Sequence, residues 1–451
     1  MRALIMVIVL GLTLPGCAPL KQYHPAPPYL KNYDLDTPLA SCSADDARKA
    51  DFQHGFVEFD EYGNLLNPAA FEAQMADIRA VQGPVLIVTY LHGWRHSAAP
   101  DDEDVREFKL AMRNIAAMDG CKRKVIGLYM GWRGQVFARN SPLDLITFWD
   151  RKQTAHSVGS GAVTEVLLRL DKERVRRNSN SQLQAKEDTQ SRLVFIGHSF
   201  GAAVLYTALA PILVERFTQS TSFDPADELS TTGCQKNPKE SLKTVGDLVV
   251  LINPAFEAMR LATLQKLSMG CHYTKDQQPV LAIVTGTTDL ATKRAFHIAR
   301  APRARFQKYT ADVPEGYQAN STAVGHYGPY QTHFLSSPQY STDSAERQTF
   351  EGCEQYVNPL KRAELRMSLT KLSTTAHASI ATFTSQQKQK DGTPKYFVLM
   401  FEKNPQLKNP PDHNPVLNVK VSAPIIDGHG GIYSCQLMTF IGGLITQTIS
   451  N

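Results

Sequence analysis

The sequence lacks several things that would settle its class at once. It has no run of apolar residues at its amino terminus long enough to cross a bilayer: Ala3 to Leu14 falls short of the about 20 residues a spanning helix needs. No two cysteines have C-x-x-C or zinc-ligand spacing, so a metal site is not expected. There is no basic stripe with interleaved aromatics. The formal charge is a mild +5, and the one local run, "DKERVRR", reads as a solvated helix end. Nucleic acid is therefore not an expected partner. Internal repeats are absent too. What remains is 451 residues with 42% hydrophobic and 20% charged content, enough for one large or two medium globular domains.

The amino terminus carries an address. Arg2, the apolar stretch from Ala3 to Leu14, then small residues before Cys17 read as a signal peptide, 1–16. Leu14-Pro15-Gly16-Cys17 resembles the lipobox of bacterial lipoproteins, with Pro15 as a departure from the usual residue. The resemblance implies lipidation of Cys17, and a membrane partner reached through that lipid anchor. Ala18 after the cysteine, by the same resemblance, implies the outer membrane, facing the periplasm. Residues 17–50, with "HPAPPYLKNYDLDTP", suit an extended tether. Seven cysteines less Cys17 leave Cys42, Cys121, Cys234, Cys271, Cys353 and Cys435. An even number in an exported chain permits three disulfides.

From 51 onward, short apolar runs alternate with helical patterns, which predicts an α/β fold on a mostly parallel sheet. Strands are expected in "GFVEFDEYGNLLN", "PVLIVTYLHG", "KVIGLYMGW", "DLVVLINPAFEA", "PVLAIVTGTTDLAT" and, more weakly, "ARFQKYT". Helices are expected in "AAFEAQMADIRAVQ", in "DDEDVREFKLAMRNIAAM" with Val105, Phe108, Met112 and Ile115 on one face, and through "LITFWDRKQTAHSVGSGAVTEVLLRL". Asp171 to Ser191 reads as a surface loop or a frayed helix end. Residues 336–395 read as an insertion, either a lid or inert decoration. Residues 396–451 end the domain with a strand, a loop and an apolar helix.

The chemistry centres on "LVFIGHSFGAAVL". An apolar strand precedes Gly197-His198-Ser199-Phe200-Gly201, and a small-residue helix follows it. A five-residue turn between them forces an uncommon backbone at its middle residue. This is the G-x-S-x-G elbow, which exposes a serine hydroxyl near a helix N-terminus. The plain alternative is a tight turn with a polar residue in it. With "GHSFGAAV" as elbow and this order of elements, the chain resembles the α/β-hydrolase superfamily in its esterase/lipase-like branch. The similarity spans Gly55 to His333 and Tyr396 to the carboxyl terminus.

That resemblance implies an α/β-hydrolase fold with a lid-like insertion, no cofactor, and a triad in the chain order nucleophile, acid, histidine. Ser199 is the nucleophile. Asp289, just past an apolar run, is the expected acid, with Glu257 as rival; a helix N-cap is the alternative role for Asp289. His429, in a Gly-rich loop before the last helix, is the expected base among thirteen histidines. His326 competes, with His333 near it. Asp427 is read as shaping the His429 loop. The oxyanion donors implied are the backbone N–H of Phe200 and that of Trp94, after His92-Gly93. Trp132 and Arg133 either line the mouth of the site or pack a loop. The implied activity is hydrolysis of a small-molecule or lipid ester. A non-catalytic envelope lipoprotein and an acyltransferase are the alternatives.

Overall fold

The structure, a computed structural model, describes residues 20–33, 52–119, 122–136, 144–179, 190–219, 240–309, 315–337, 378–388, 394–407, 410–423 and 425–448. Its centre is an eleven-stranded sheet. The strands are β1 (Leu30–Tyr33), β2 (Phe52–Glu58), β3 (Val85–Leu91), β4 (Lys124–Gly131), β5 (Arg192–His198), β6 (Leu248–Ile252), β7 (Leu281–Gly286), β8 (His333–Ser336), β9 (Ala378–Lys388), β10 (Pro394–Lys403) and β11 (Val416–Val421). Their spatial order is β1-β2-β4-β3-β5-β6-β7-β11-β8-β10-β9. Every neighbouring pair from β2 to β8 is parallel. β1 on one side, and β10 with β9 on the other, add antiparallel pairs. This is an α/β architecture: a mostly parallel sheet with helices on both faces.

β3 shows why the sheet must be covered twice. All seven of its residues are buried. Val85, Ile87 and Leu91 join one core, and Leu86, Val88 and Tyr90 the other, as the two-residue period of a strand requires. The first core is closed by α1 (Pro68–Ala80), α3 (Asp144–Gly159), α4 (Val163–Ser179), α5 (Phe200–Gln219) and α6 (Ala262–Gly270). The second is closed by α2 (Glu103–Asp119), and by α9 (Cys435–Thr448) at the chain's end. Val105, Phe108, Met112 and Ile115 of α2 all point into that core, as their spacing predicts. Two short helices, α7 (Phe296–Ala304) and α8 (Gly316–Ser321), lie between β7 and β8. α5 is apolar and long enough to cross a membrane, but 61% of its apolar window is buried in the fold, as in a core helix.

The structure differs from the sequence reading in several places. The expected tether packs on the sheet: Leu30–Tyr33 forms the edge strand β1 with Leu30 buried, and the Tyr23 and His24 N–H groups donate to the Glu58 carboxylate at 2.8 and 2.9 Å. The long helical stretch breaks at Ser160-Gly161-Ala162, where the Ala162 N–H reaches the Gly63 carbonyl at 2.8 Å. Helix α4 then runs on through Asp171 to Ser179, where a loop or fray was expected, because its arginines find Glu173 and Asp171. "ARFQKYT" is no strand; Phe306 is 89% exposed, so the segment has no face to bury. Ala378–Lys388, expected inside the insertion, is the outermost strand. Residues 338–377 and 389–393 of that insertion lie outside the described residues, as do Cys17 and the signal peptide.

Candidate active site

β5 ends at His198 and α5 begins at Phe200, so Ser199 alone makes the turn. It does so in the left-handed region, at φ +55°. The strain is tolerated because neighbours hold the turn on both sides. The Ser199 N–H donates to the Ile252 carbonyl at 3.0 Å, and its carbonyl accepts from the Ala255 N–H at 3.1 Å. The flanking glycines are needed for packing. A Cβ on Gly201 would stand 2.2 Å from the Leu91 carbonyl oxygen, and one on Gly197 2.8 Å from the Ala202 Cα.

Three residues from three distant segments then form one hydrogen-bonded chain. His429 Nε2 lies 2.7 Å from the Ser199 hydroxyl. His429 Nδ1 lies 2.9 Å from Asp289 Oδ2. Asp289 is fully buried, while His429 is partly exposed. Burial pushes the Asp289 carboxyl up, but the hydrogen bonds and charge of His429, and the hydrogen bonds of Thr292, more than offset it and hold it below the ordinary range. An ionised Asp289 fixes the proton on Nδ1 and leaves Nε2 free to accept from Ser199. Asp289 also does what an N-cap does: its Oδ1 accepts from the Thr292 N–H at 3.1 Å.

The loop bearing His429 is tied down from several sides. Its carbonyl oxygen accepts from Asn253 Nδ2 at 2.9 Å and meets His198 Nε2 at 3.1 Å. Asn253, at φ +44°, accepts at its Oδ1 from the N–H of Gly286, the last residue of β7. Thr288 accepts from the Gly428 N–H at 3.0 Å. Tyr433 donates to the buried Asp104 at 2.8 Å. Asp427 bridges to Gly431 and closes the loop on itself. Burial, with the adjacent His429, lowers His198 to about 3, so it serves as a neutral donor.

On the other side of Ser199 lies the turn after β3. A Cβ on Gly93 would stand 3.0 Å from the Ser199 Cβ and crowd it, so glycine suits this close approach. His92 clamps the turn. Its Nδ1 meets the Gly93 carbonyl at 2.9 Å, and its Nε2 accepts from the Trp132 N–H at 3.0 Å. Its ring stacks 5.7 Å from that of Trp132, which is buried. Trp132 is thus a packing residue, and Arg133 pairs with Glu61 at 2.9 Å. The Trp94 ring packs with Phe148 and with the buried Phe200, the residue after the serine.

The rivals are placed elsewhere. Glu257 is buried among cations, 2.6 Å from Lys152, 2.7 Å from Arg300 and 3.1 Å from Arg260. Burial pushes its carboxyl up, but Lys152 and Arg300 override this and hold it at about 2. It bonds to cations, whereas Asp289 bonds to the imidazole. His326 Nε2 meets Thr292 Oγ1 at 2.9 Å, and that hydroxyl donates to Asp289. Burial lowers His326 to about 4. His333 stacks on Phe401 at 4.6 Å in β8. The sequence reading missed Thr292, Asn253 and Thr288. Only Asn253 carried a signal, an asparagine directly after a buried strand, where a left-handed residue is tolerated.

No protein-family model, no curated protein and no solved structure matches this chain.

Proposed function

We propose that this chain is a serine hydrolase of carboxylic esters, esterase- or lipase-like, on an α/β-hydrolase type of fold at the bacterial cell envelope. The observation that carries the reading is the chain Ser199–His429–Asp289, at 2.7 and 2.9 Å, on a strand-to-helix elbow at φ +55°. The order along the sequence, serine, aspartate, histidine, is that of the hydrolase elbow proteins.

In this reading Ser199 Oγ attacks the ester carbonyl carbon while His429 Nε2 takes its proton. Asp289 keeps the imidazole in the required tautomer and stabilises the imidazolium. The oxyanion is held by the N–H of Phe200, the first residue of α5, where a helix leaves donors without partners. The N–H of Trp94, next to the closely packed Gly93, is the second donor. Each such donor is worth ~3 kcal/mol in the transition state. Collapse expels the alcohol, which carries away the proton from His429. Water then attacks the acyl-serine by the same route, releasing the acid and restoring Ser199.

The partly buried rings of Trp94 and Phe148 suit an apolar acyl or alcohol group. Lipidation of Cys17 would place the enzyme on the outer membrane, facing the periplasm. The disulfides formed by Cys271 and Cys435 fit such an oxidising compartment. A fluorophosphonate probe tests the chemistry. It should label the wild type and not Ser199→Ala; a chain that is folded yet unlabelled would belong to the non-catalytic reading.

A further inference from the structure

Beyond the site, the segment from Leu290 to Tyr309 stands out for its charge. It holds Lys293, Arg294, Arg300, Arg303, Arg305 and Lys308 and not one Asp or Glu. It begins directly after Asp289 as a π-helical turn, Ala291–Ala295, and continues as α7. The inner face of α7 carries Phe296, Arg300 and Ala304, spaced by four and all buried. Arg300 reaches Glu257, beyond the carboxyl end of β6. The helix therefore lies against the edge of the sheet that carries Ser199.

Exposed residues recur with the same four-residue spacing along the segment. Leu290 before the π-helical turn, Arg294 within it, Ile298 and Pro302 on α7 and Phe306 just past its end are all exposed, with Leu290 at 55%, Ile298 at 72% and Phe306 at 89%. Arg303, Arg305 and Lys308 flank them, also exposed. Arg294, Arg303, Arg305 and Lys308 make no ion pair among the described residues. Three large apolar side chains this open to water along one segment, interspersed with cations, are costly on a free surface. They suit a bilayer interface, where the apolar groups enter the acyl boundary and the cations meet phosphate.

A second observation points to the same side. Tyr23 and His24 are held by Glu58, the last residue of β2, and His24 Nε2 meets the Ala98 carbonyl in the loop after β3 at 2.8 Å. Both contacts lie at the carboxyl edge of the parallel strands. Tyr23 lies six positions after Cys17, so a lipid there would hold this edge within about 20 Å of the bilayer.

We propose that the face formed by Leu290, Arg294, Ile298, Arg303, Arg305 and Phe306 docks on an anionic lipid surface. The surface itself does not depend on the hydrolase reading; the second observation rests on lipidation of Cys17. The test uses the full chain reconstituted with vesicles of phosphatidylglycerol or of phosphatidylcholine, each with brominated acyl chains. Phe306→Trp is compared with the parent and with Val175→Trp, an exposed control on α4 near the opposite edge. Sedimentation reports anchoring, and quenching reports the face. The added tryptophan at 306 should shift to the blue and be quenched in the phosphatidylglycerol vesicles alone, and the control should not. Arg303→Glu with Arg305→Glu should abolish the quenching, while Ser199→Ala should leave it intact. A chain that sediments with both vesicles but shows no quenching at 306, or equal quenching at 175, overturns the proposal and spares the anchor. A blue shift produced by heparin without bromolipid quenching would assign the face to a polyanion and also overturn it.

Discussion

His326 Nε2 lies 2.9 Å from the Thr292 hydroxyl, and that hydroxyl donates to Asp289. The imidazole that rivals His429 in the sequence therefore supports the acid, through one intervening side chain. The same carboxylate, Asp289, is reached by His429 on one side and by this Thr292–His326 pair on the other.

This arrangement ranks three variants. His429→Ala should lower kcat on an activated ester on the order of 10^6-fold, as removal of a triad histidine does in subtilisin. His326→Ala removes a single neutral hydrogen bond and should cost about tenfold or less. Thr292→Val should fall between them, and Thr292→Ser should restore most of the loss. Circular dichroism checks the fold of each. A dead but folded His326→Ala beside an active His429→Ala would give the role of base to His326.

The two carboxylates should separate by kind of damage. Asp289→Asn is expected to cost about 10^4-fold in kcat, since the amide favours the wrong tautomer of the histidine. Glu257→Gln instead leaves Lys152 and Arg300 buried without their counter-charge. It should destabilise the fold by about 3–5 kcal/mol, read by urea denaturation, with little change in kcat of the folded fraction.

Acid should unfold the protein early. Burial depresses His54 and His326 to about 4, and His156, His198 and His333 to about 3. Each therefore binds its proton at a higher pH in the unfolded chain than in the fold. Their effect on stability is absent above the ordinary value of 6.5 and grows as pH falls toward the folded values. Glu257 adds a further loss between 4.5 and about 2. Urea midpoints should be flat near neutrality and fall steeply below about pH 6.5. His156→Gln should make the fall shallower. A midpoint unchanged down to about pH 4 would contradict the buried-neutral assignment.

The proposed export has two consequences. Denatured, unreduced protein should show no free thiol at Cys271 or Cys435, and reductant should lower the melting temperature, by a free energy of about 2–5 kcal/mol for a native disulfide. The precursor should also be cleaved before Cys17. Unchanged processing and unchanged membrane partition in Cys17→Ser would remove the anchor from the reading.

Much of the frame was legible in the chain, because its signals are local. The apolar runs of β3, β4, β5 and β7 could be buried only in a covered sheet, and the i, i+3, i+4 spacing in α2 named its inward face. The elbow was readable for the same reason: strand, two glycines and small-residue helix all lie within thirteen residues. The apolar final helix was likewise expected, and α9 covers one face of the sheet.

What the sequence left open was decided by contacts that span the chain. Ser199 and His429 are 230 positions apart, and Asp289 and His429 are 140 apart. No local pattern distinguishes His429 from His326, since both sit in glycine-bearing loops. Only the parallel packing of β5, β6, β7 and β11 brings one imidazole onto the serine and sends the other to Thr292. Asp289 and Glu257 are told apart the same way: α3 and α7 supply the cations that pair with Glu257, and Asp289 meets the histidine. Local sequence fixes which elements form and which faces they bury, because propensity and period act over a few residues. Which charged group meets which partner depends on the order of strands in space, and that is a property of the whole fold.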